Sequence, residues 1–364
     1  MGETKRIELF KVYMSRHIGD PLGKTLFSGY IGQGQQVDAF EVELMKFLDR
    51  EYLLTTCSGT AALDLALHLC GVGPGDEVVT TPITCTATNG VIVRRGARPV
   101  WADVEHYTGN IDSWDVAKKI TPRTKAIMTV DWGGRPCNYE HLRAIASGIP
   151  NIEDAAHAFG ADGLGGDYIC FSFQAIKHLT TVDGGAIITP RNQYKRAKLL
   201  RWYGLDRESS SDFRCSQDIT EVGYKYHMND VCASIGRANL KDISDILQRH
   251  RENATFFWEQ LKDYQSNDMS LPTPCEASSW WLYTLQVRNR TDFVQHMKDC
   301  GVVTSQVHAR NDKHTGFCFP NGPLSGVDHF DAHQINIPVG WWLDRQDRDK
   351  IVGAVKSWCD GRKS

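Results

Sequence analysis

Between about residue 50 and residue 190, short apolar runs alternate with stretches whose apolar residues recur at helical spacing. That rhythm belongs to an α/β domain built on a mainly parallel sheet. The runs read as buried strands over 77–81, 98–102, 125–131, 149–153, 167–173 and 186–189. Asp112 stands before Val116 and Ile120, and Asn138 before Leu142 and Ile145, so two of the intervening helices open on good cap residues. From 229 to 263, Ile235, Leu240, Ile243, Leu247, Phe257 and Leu261 recur at roughly helical spacing with no proline and only Gly236 inside. This predicts one long helix or two joined end to end. Beyond Pro272 and Pro274 the pattern becomes a strand over 281–287, a helix over 292–300 and a last helix over 345–359. The expected architecture is α/β. A large domain over 1–240, comprising an N-terminal arm and a mainly parallel sheet flanked by helices, precedes a smaller C-terminal α+β domain over 241–364.

A chain of 364 residues fits roughly two domains, and 41% hydrophobic content is enough for a large core. The net charge of -3 leaves no electrostatic footprint for nucleic acid or an anionic membrane. Small molecules, or another copy of the chain, are the expected partners. Eleven cysteines without one C-x-x-C pair suit neither a disulfide framework nor a zinc site, which points to a reduced, cytoplasmic setting and no metal. The charged N-terminus leads into no apolar segment of signal-peptide length, and no apolar run reaches about 18 residues. Neither secretion nor membrane insertion is expected.

Three short segments carry candidate chemistry. Ser58-Gly59-Thr60 precedes Ala61, Ala62 and Leu63, so small residues open a helix whose N-terminal N–H groups favour an anion; the plain alternative is a helix cap. Asp154 follows an apolar strand, where an unpaired carboxylate is costly. Opposite a protonated pyridine nitrogen it would be stabilised, and the plain alternative is again a cap, for a helix through Ala155, Ala156 and Ala158. His157 lies three residues on. Lys177 ends the run Ser172-Phe173-Gln174-Ala175-Ile176-Lys177, and Gly184-Gly185 follows in a loop able to pass close to a ligand. A lysine at a buried strand end loses its proton more readily than an exposed one. An amine, a carboxylate and an anion cradle are together what pyridoxal 5'-phosphate (PLP) requires.

Taken in order, these motifs resemble the DegT/DnrJ/EryC1/StrS family of sugar aminotransferases, which have the fold of aspartate aminotransferase (fold type I). The likeness runs from Gly29-Tyr30-Ile31-Gly32-Gln33-Gly34 to Ile337-Pro338-Val339. It implies that Lys177 bonds the cofactor aldehyde, that Asp154 partners the ring nitrogen and that His157 neighbours the phenolic oxygen. Ser58, Gly59, Thr60 and Ser172 would hold the phosphate. The family forms homodimers with shared active sites, in which a Gly-Tyr-Asn-Tyr-Arg segment reaches the other subunit's cofactor phosphate. Here that segment reads Gly223-Tyr224-Lys225-Tyr226-His227, and Lys225 would meet the phosphate as a charge rather than as an amide donor. Cys85 stands where many relatives stack an aromatic on the cofactor ring, so the ring would meet a thiol of smaller area. His308 and Arg310 fall where relatives carry a histidine-bearing substrate loop.

The resemblance implies transfer of an amino group from glutamate, released as 2-oxoglutarate, to a nucleotide-linked keto sugar, specifically a 4-keto-6-deoxyhexose. The cofactor would pass through its pyridoxamine 5'-phosphate form. Relatives that instead dehydrate the sugar replace the lysine by histidine, and His178 is out of register for that substitution. A noncatalytic regulatory protein of the same fold would not require Lys177, Asp154 and Ser172 together.

Overall fold

The computed structural model describes residues 5–209, 216–320 and 322–362. Among them, seven strands form the main sheet: β1 (Leu53–Thr56), β2 (Glu77–Thr80), β3 (Arg98–Trp101), β4 (Thr124–Val130), β5 (Asn151–Asp154), β6 (Tyr168–Ser172) and β7 (Gly185–Ile188). Their order is β1-β7-β6-β5-β4-β2-β3. From β6 to β3 all neighbours are parallel, whereas β7 runs antiparallel to both β6 and β1. Strands β1, β2, β5 and β7 are buried along their whole length, as in a sheet covered on both faces.

The sequence pattern missed β1. Leu53-Leu54-Thr55-Thr56 is only four residues long and half threonine. Thr55 is buried because both its amide and its hydroxyl donate to Glu41 Oε1, each at 2.8 Å. That partner is remote in sequence.

Pairing register brings the chemistry to one edge. Gly185 stands opposite Ser172 on one side and Thr56 on the other. The reversed strand β7 therefore starts where β1 and β6 end. Asp154 closes β5 at the same carboxyl edge, where ligands bind in open α/β sheets.

A second, antiparallel sheet has the order β10-β9-β8, from β8 (Met269–Ser270), β9 (Tyr283–Val287) and β10 (Gln334–Ile337). With the helices Ile243–Leu261, Arg290–Asp299 and Arg345–Asp360 it builds a separate core around Phe257, Tyr283, Phe293, Ile351 and Trp358. Ile7, from the start of the chain, packs into this core and bridges Val302. The segment predicted as one or two helices is two, Asp230–Leu240 and Ile243–Leu261. The strand expected from residue 281 starts at Tyr283, because Trp280 has a φ of 52° and breaks the extended line. Trp281 is left outside the ladder.

Candidate active site

Lys177 ends a tight turn after β6, its amide donating to the Gln174 carbonyl at 2.9 Å. Burial pushes its amine down from 10.5 to about 8, with Asp154 and Cys85 acting in the opposite sense. The amine Nζ lies 3.6 Å from the centre of the Trp281 ring.

Asp154 is buried at the end of β5. Its Oδ2 accepts from the Thr88 hydroxyl (2.7 Å) and its Oδ1 from the Ala156 amide (3.1 Å). Burial raises its pKa, while Thr88, Ala156 and the charge of Lys177 pull it down. No helix follows Asp154, which removes the helix-cap alternative.

His157 and His308 form a neutral pair. Their Nε2 atoms are 3.4 Å apart and their rings are nearly parallel. Burial first, then the charge of Lys177, holds His157 well below the usual histidine range and His308 at about 4. The Gly133 amide donates to His157 Nδ1 at 3.4 Å, which leaves the proton of the neutral ring on Nε2. Trp132 approaches both rings edge-on. Val307, immediately before His308, has a φ of 64°, a disfavoured conformation for a β-branched residue that recurs at functional sites.

The turn after β1 supplies the anion cradle. Ser58 Oγ caps the helix Gly59–Leu69 by accepting from the Ala61 amide at 3.1 Å, and its own O–H remains available as a donor. A Cβ on Gly59 would stand 2.9 Å from the Ser172 Cβ, and one on Gly185 would stand 2.6 Å from the Gly59 amide nitrogen. Glycine at both positions lets the helix start, β6 and β7 converge. Thr60 and Ser172, both partly accessible, flank this point.

The other expected residues divide. Cys85 occupies the N-cap position of the helix Thr86–Arg94 and faces the Lys177 amine. The exposed Lys225 lies in a segment held beside the cradle of its own chain, since the Cys57 amide donates to the Tyr226 carbonyl. Arg310 is buried, and its guanidinium is engaged by both carboxylate oxygens of Asp312 and by Asp328. These donors brace the loop, and of the two substrate-loop residues His308 is the one that lies against His157.

Sequence reasoning passed over Trp281, Thr88, Trp132 and Asn311. Asn311 donates to the Thr84 carbonyl at 2.8 Å and accepts from Asn89 at 2.9 Å, so it ties the His308 loop to the turn carrying Cys85. None of the four belongs to a motif with chemistry of its own, and each matters through a partner distant in sequence. Among the described residues no group of three metal-ligating side chains could hold an ion, and no helix is long and apolar enough to cross a membrane.

The residues present fit PLP. There is an amine of depressed pKa, a buried carboxylate that feels the charge of that amine, and a glycine-opened helix start flanked by hydroxyls. On a fold with ligand-binding strand ends of this kind, they define a PLP enzyme.

The chain matches the model of the DegT/DnrJ/EryC1/StrS aminotransferase family over residues 14–356, and it belongs to that family. It is similar to the sugar aminotransferase CalS13 from Micromonospora echinospora, with 35% identity, a TM-score of 0.90 and coverage of 96% of this chain and 99% of that one. The spore coat polysaccharide biosynthesis protein SpsC of Bacillus subtilis is 30% identical over 362 residues, covering 93% of each chain. Spr1654 of Streptococcus pneumoniae, solved in a PLP form, is 25% identical with a TM-score of 0.89, covering 99% of this chain and 100% of that one. The protein is a PLP-dependent enzyme of the sugar aminotransferase family.

Proposed function

We propose that this enzyme transfers the amino group of glutamate to a nucleotide-linked keto sugar, in particular a 4-keto-6-deoxyhexose. The observation that carries the transfer chemistry is a desolvated amine, Lys177, and a buried carboxylate, Asp154, brought to one sheet edge. The substrate class rests on similarity to sugar aminotransferases.

PLP supplies the electron sink that exchange of nitrogen between two carbons needs. In this reading Lys177 would bond its aldehyde. Asp154, its carboxylate oriented by Thr88, would hold the proton of the ring nitrogen. His157 would offer its Nε2–H to the phenolic oxygen. Ser58, Gly59, Thr60 and Ser172 would receive the phosphate, aided by the dipole of the helix Gly59–Leu69. The free Lys177 amine would serve as the general acid and base, work commonly worth ~10²- to 10⁴-fold. Cys85 would pack against the cofactor, and His308 would contact the sugar.

The proposal includes a homodimer, with Lys225 of one subunit at the phosphate bound by the other, a division of each chain near residue 240, and a cytoplasmic setting. The test of substrate class loads the protein with pyridoxamine 5'-phosphate and presents a panel of nucleotide keto sugars. A 4-keto-6-deoxyhexose nucleotide is expected to restore the absorbance of the aldehyde form. Turnover of simple keto acids with no response to any keto sugar would overturn the substrate class.

A further inference from the structure

The indole of Trp281 is fixed by three contacts. Its Nε1 donates to the Ile176 carbonyl at 3.0 Å, and its ring stacks on His157 (4.0 Å between centroids) and on Phe10 (5.0 Å). The loop before it is fixed as well. Arg251 Nε donates to the Ser278 carbonyl (3.2 Å), the Ser279 amide donates to the Gly134 carbonyl (3.0 Å), and His250 Nδ1 lies 2.9 Å from the Trp280 carbonyl. Lys177 Nζ rests over this immobilised face, 3.6 Å from the ring centre. Among the described residues no oxygen hydrogen-bonds the amine. Asp154 and Cys85 reach it only through space.

We propose that the Trp281 face is a docking platform for the Lys177 amine, which makes Trp281 a positioning residue that keeps the amine beside the reaction centre whenever it is not bonded to cofactor. The inference rests on the reading of Lys177 as the cofactor-bonding lysine. An aromatic face attracts an ammonium through its quadrupole and holds a neutral amine far less. The platform therefore favours the protonated amine and stops a freed, flexible side chain from swinging away between proton transfers. Of the other groups near the amine, Asp154 from β5 and Cys85 from the N-cap of the helix Thr86–Arg94 favour its charge. His157, His308 and His178 are all held below the usual histidine range by burial, so near pH 7 none of the three competes as a cation for the indole.

The test measures the amine without using turnover. Full-length protein stripped of cofactor is pulsed with a limiting amine-labelling reagent at a series of pH values, and labelling of the Lys177 peptide is read by mass spectrometry. The native chain should titrate with a midpoint below the usual 10.5 of a lysine, because the amine is desolvated. In Trp281→Leu, which keeps an apolar wall but removes the π face, the midpoint should fall by ~1 pH unit, with Trp281→Phe between the two. Circular dichroism confirms folding of each variant. Trp281→Phe, which can preserve the stacks on Phe10 and His157, decides the matter if the leucine variant does not fold. A midpoint that stays put or rises would overturn the proposal, because the indole would then serve only to exclude water. A separate sample given PLP shows whether the cofactor bonds Lys177, so failure of that reading is seen independently.

Discussion

Asp154 sits under a large desolvation cost, and the groups that offset it are one hydroxyl, one amide and the Lys177 amine. A neutral side chain in its place would relieve that cost, so the carboxylate is expected to act on a ligand rather than on the fold. Asp154→Asn should retain the fold and slow the glutamate half-reaction by ~10²-fold or more, the range seen when one preorganised electrostatic group is lost from an active site. Single-turnover rates in cofactor-saturated protein measure this. A near-native rate would reduce Asp154 to a turn brace for Ala156. The histidines differ in kind. His157 and His308 are both neutral at pH 7, so they contribute hydrogen bonds and ring faces, and no charge that titrates near neutrality.

Three elements converge where the helix Gly59–Leu69, β6 and β7 meet, and the contact is close enough to exclude a methyl group. Gly59→Ala should push the helix start off Ser172, costing ~1–3 kcal/mol as overpacking does, and should weaken cofactor binding more than it lowers the unfolding midpoint. Titration of stripped protein with PLP, beside a thermal melt, separates the two effects. Unchanged affinity would mean that the turn is only a helix cap. Elements of this kind were legible to different degrees. The parallel strands were readable where burial on both faces favours apolar residues, as at Val78 and Val79 of β2 and at Ile127 and Met128 of β4. Strand β1 was not, because its buried Thr55 is satisfied by Glu41 from a helix outside the sheet. The amine, the carboxylate and the small-residue turn could be read because each motif is local. Trp281 could not, since it enters the site only through the break at Trp280 and the packing of the second sheet's approach loop against His157. Arg310 looked available as a cation, yet its fork is filled by Asp312 two residues on and by Asp328 on the helix Ser325–His333.

In the whole molecule the site lies between two cores: Lys177 and Asp154 come from the main sheet, Trp281 from the approach to the second, and His308 from the loops around it. If Lys225 completes a neighbouring subunit's phosphate site, Lys177→Ala and Lys225→Ala should damage different chains of a shared centre. Mixing the two inactive or weakened variants would then give dimers with one undamaged site, and activity should reappear; no recovery despite proven subunit exchange would count against sharing. The account as a whole stands on Lys177 as the residue that takes up PLP and releases it to an amino donor. The most direct measurement reduces the PLP-loaded enzyme with borohydride, with and without prior glutamate, and maps the modified peptide by mass spectrometry. A cofactor adduct on Lys177 that forms without glutamate and is lost with it is the predicted result, whereas an adduct on another lysine, or one at Lys177 indifferent to every amino donor tried, would contradict the account.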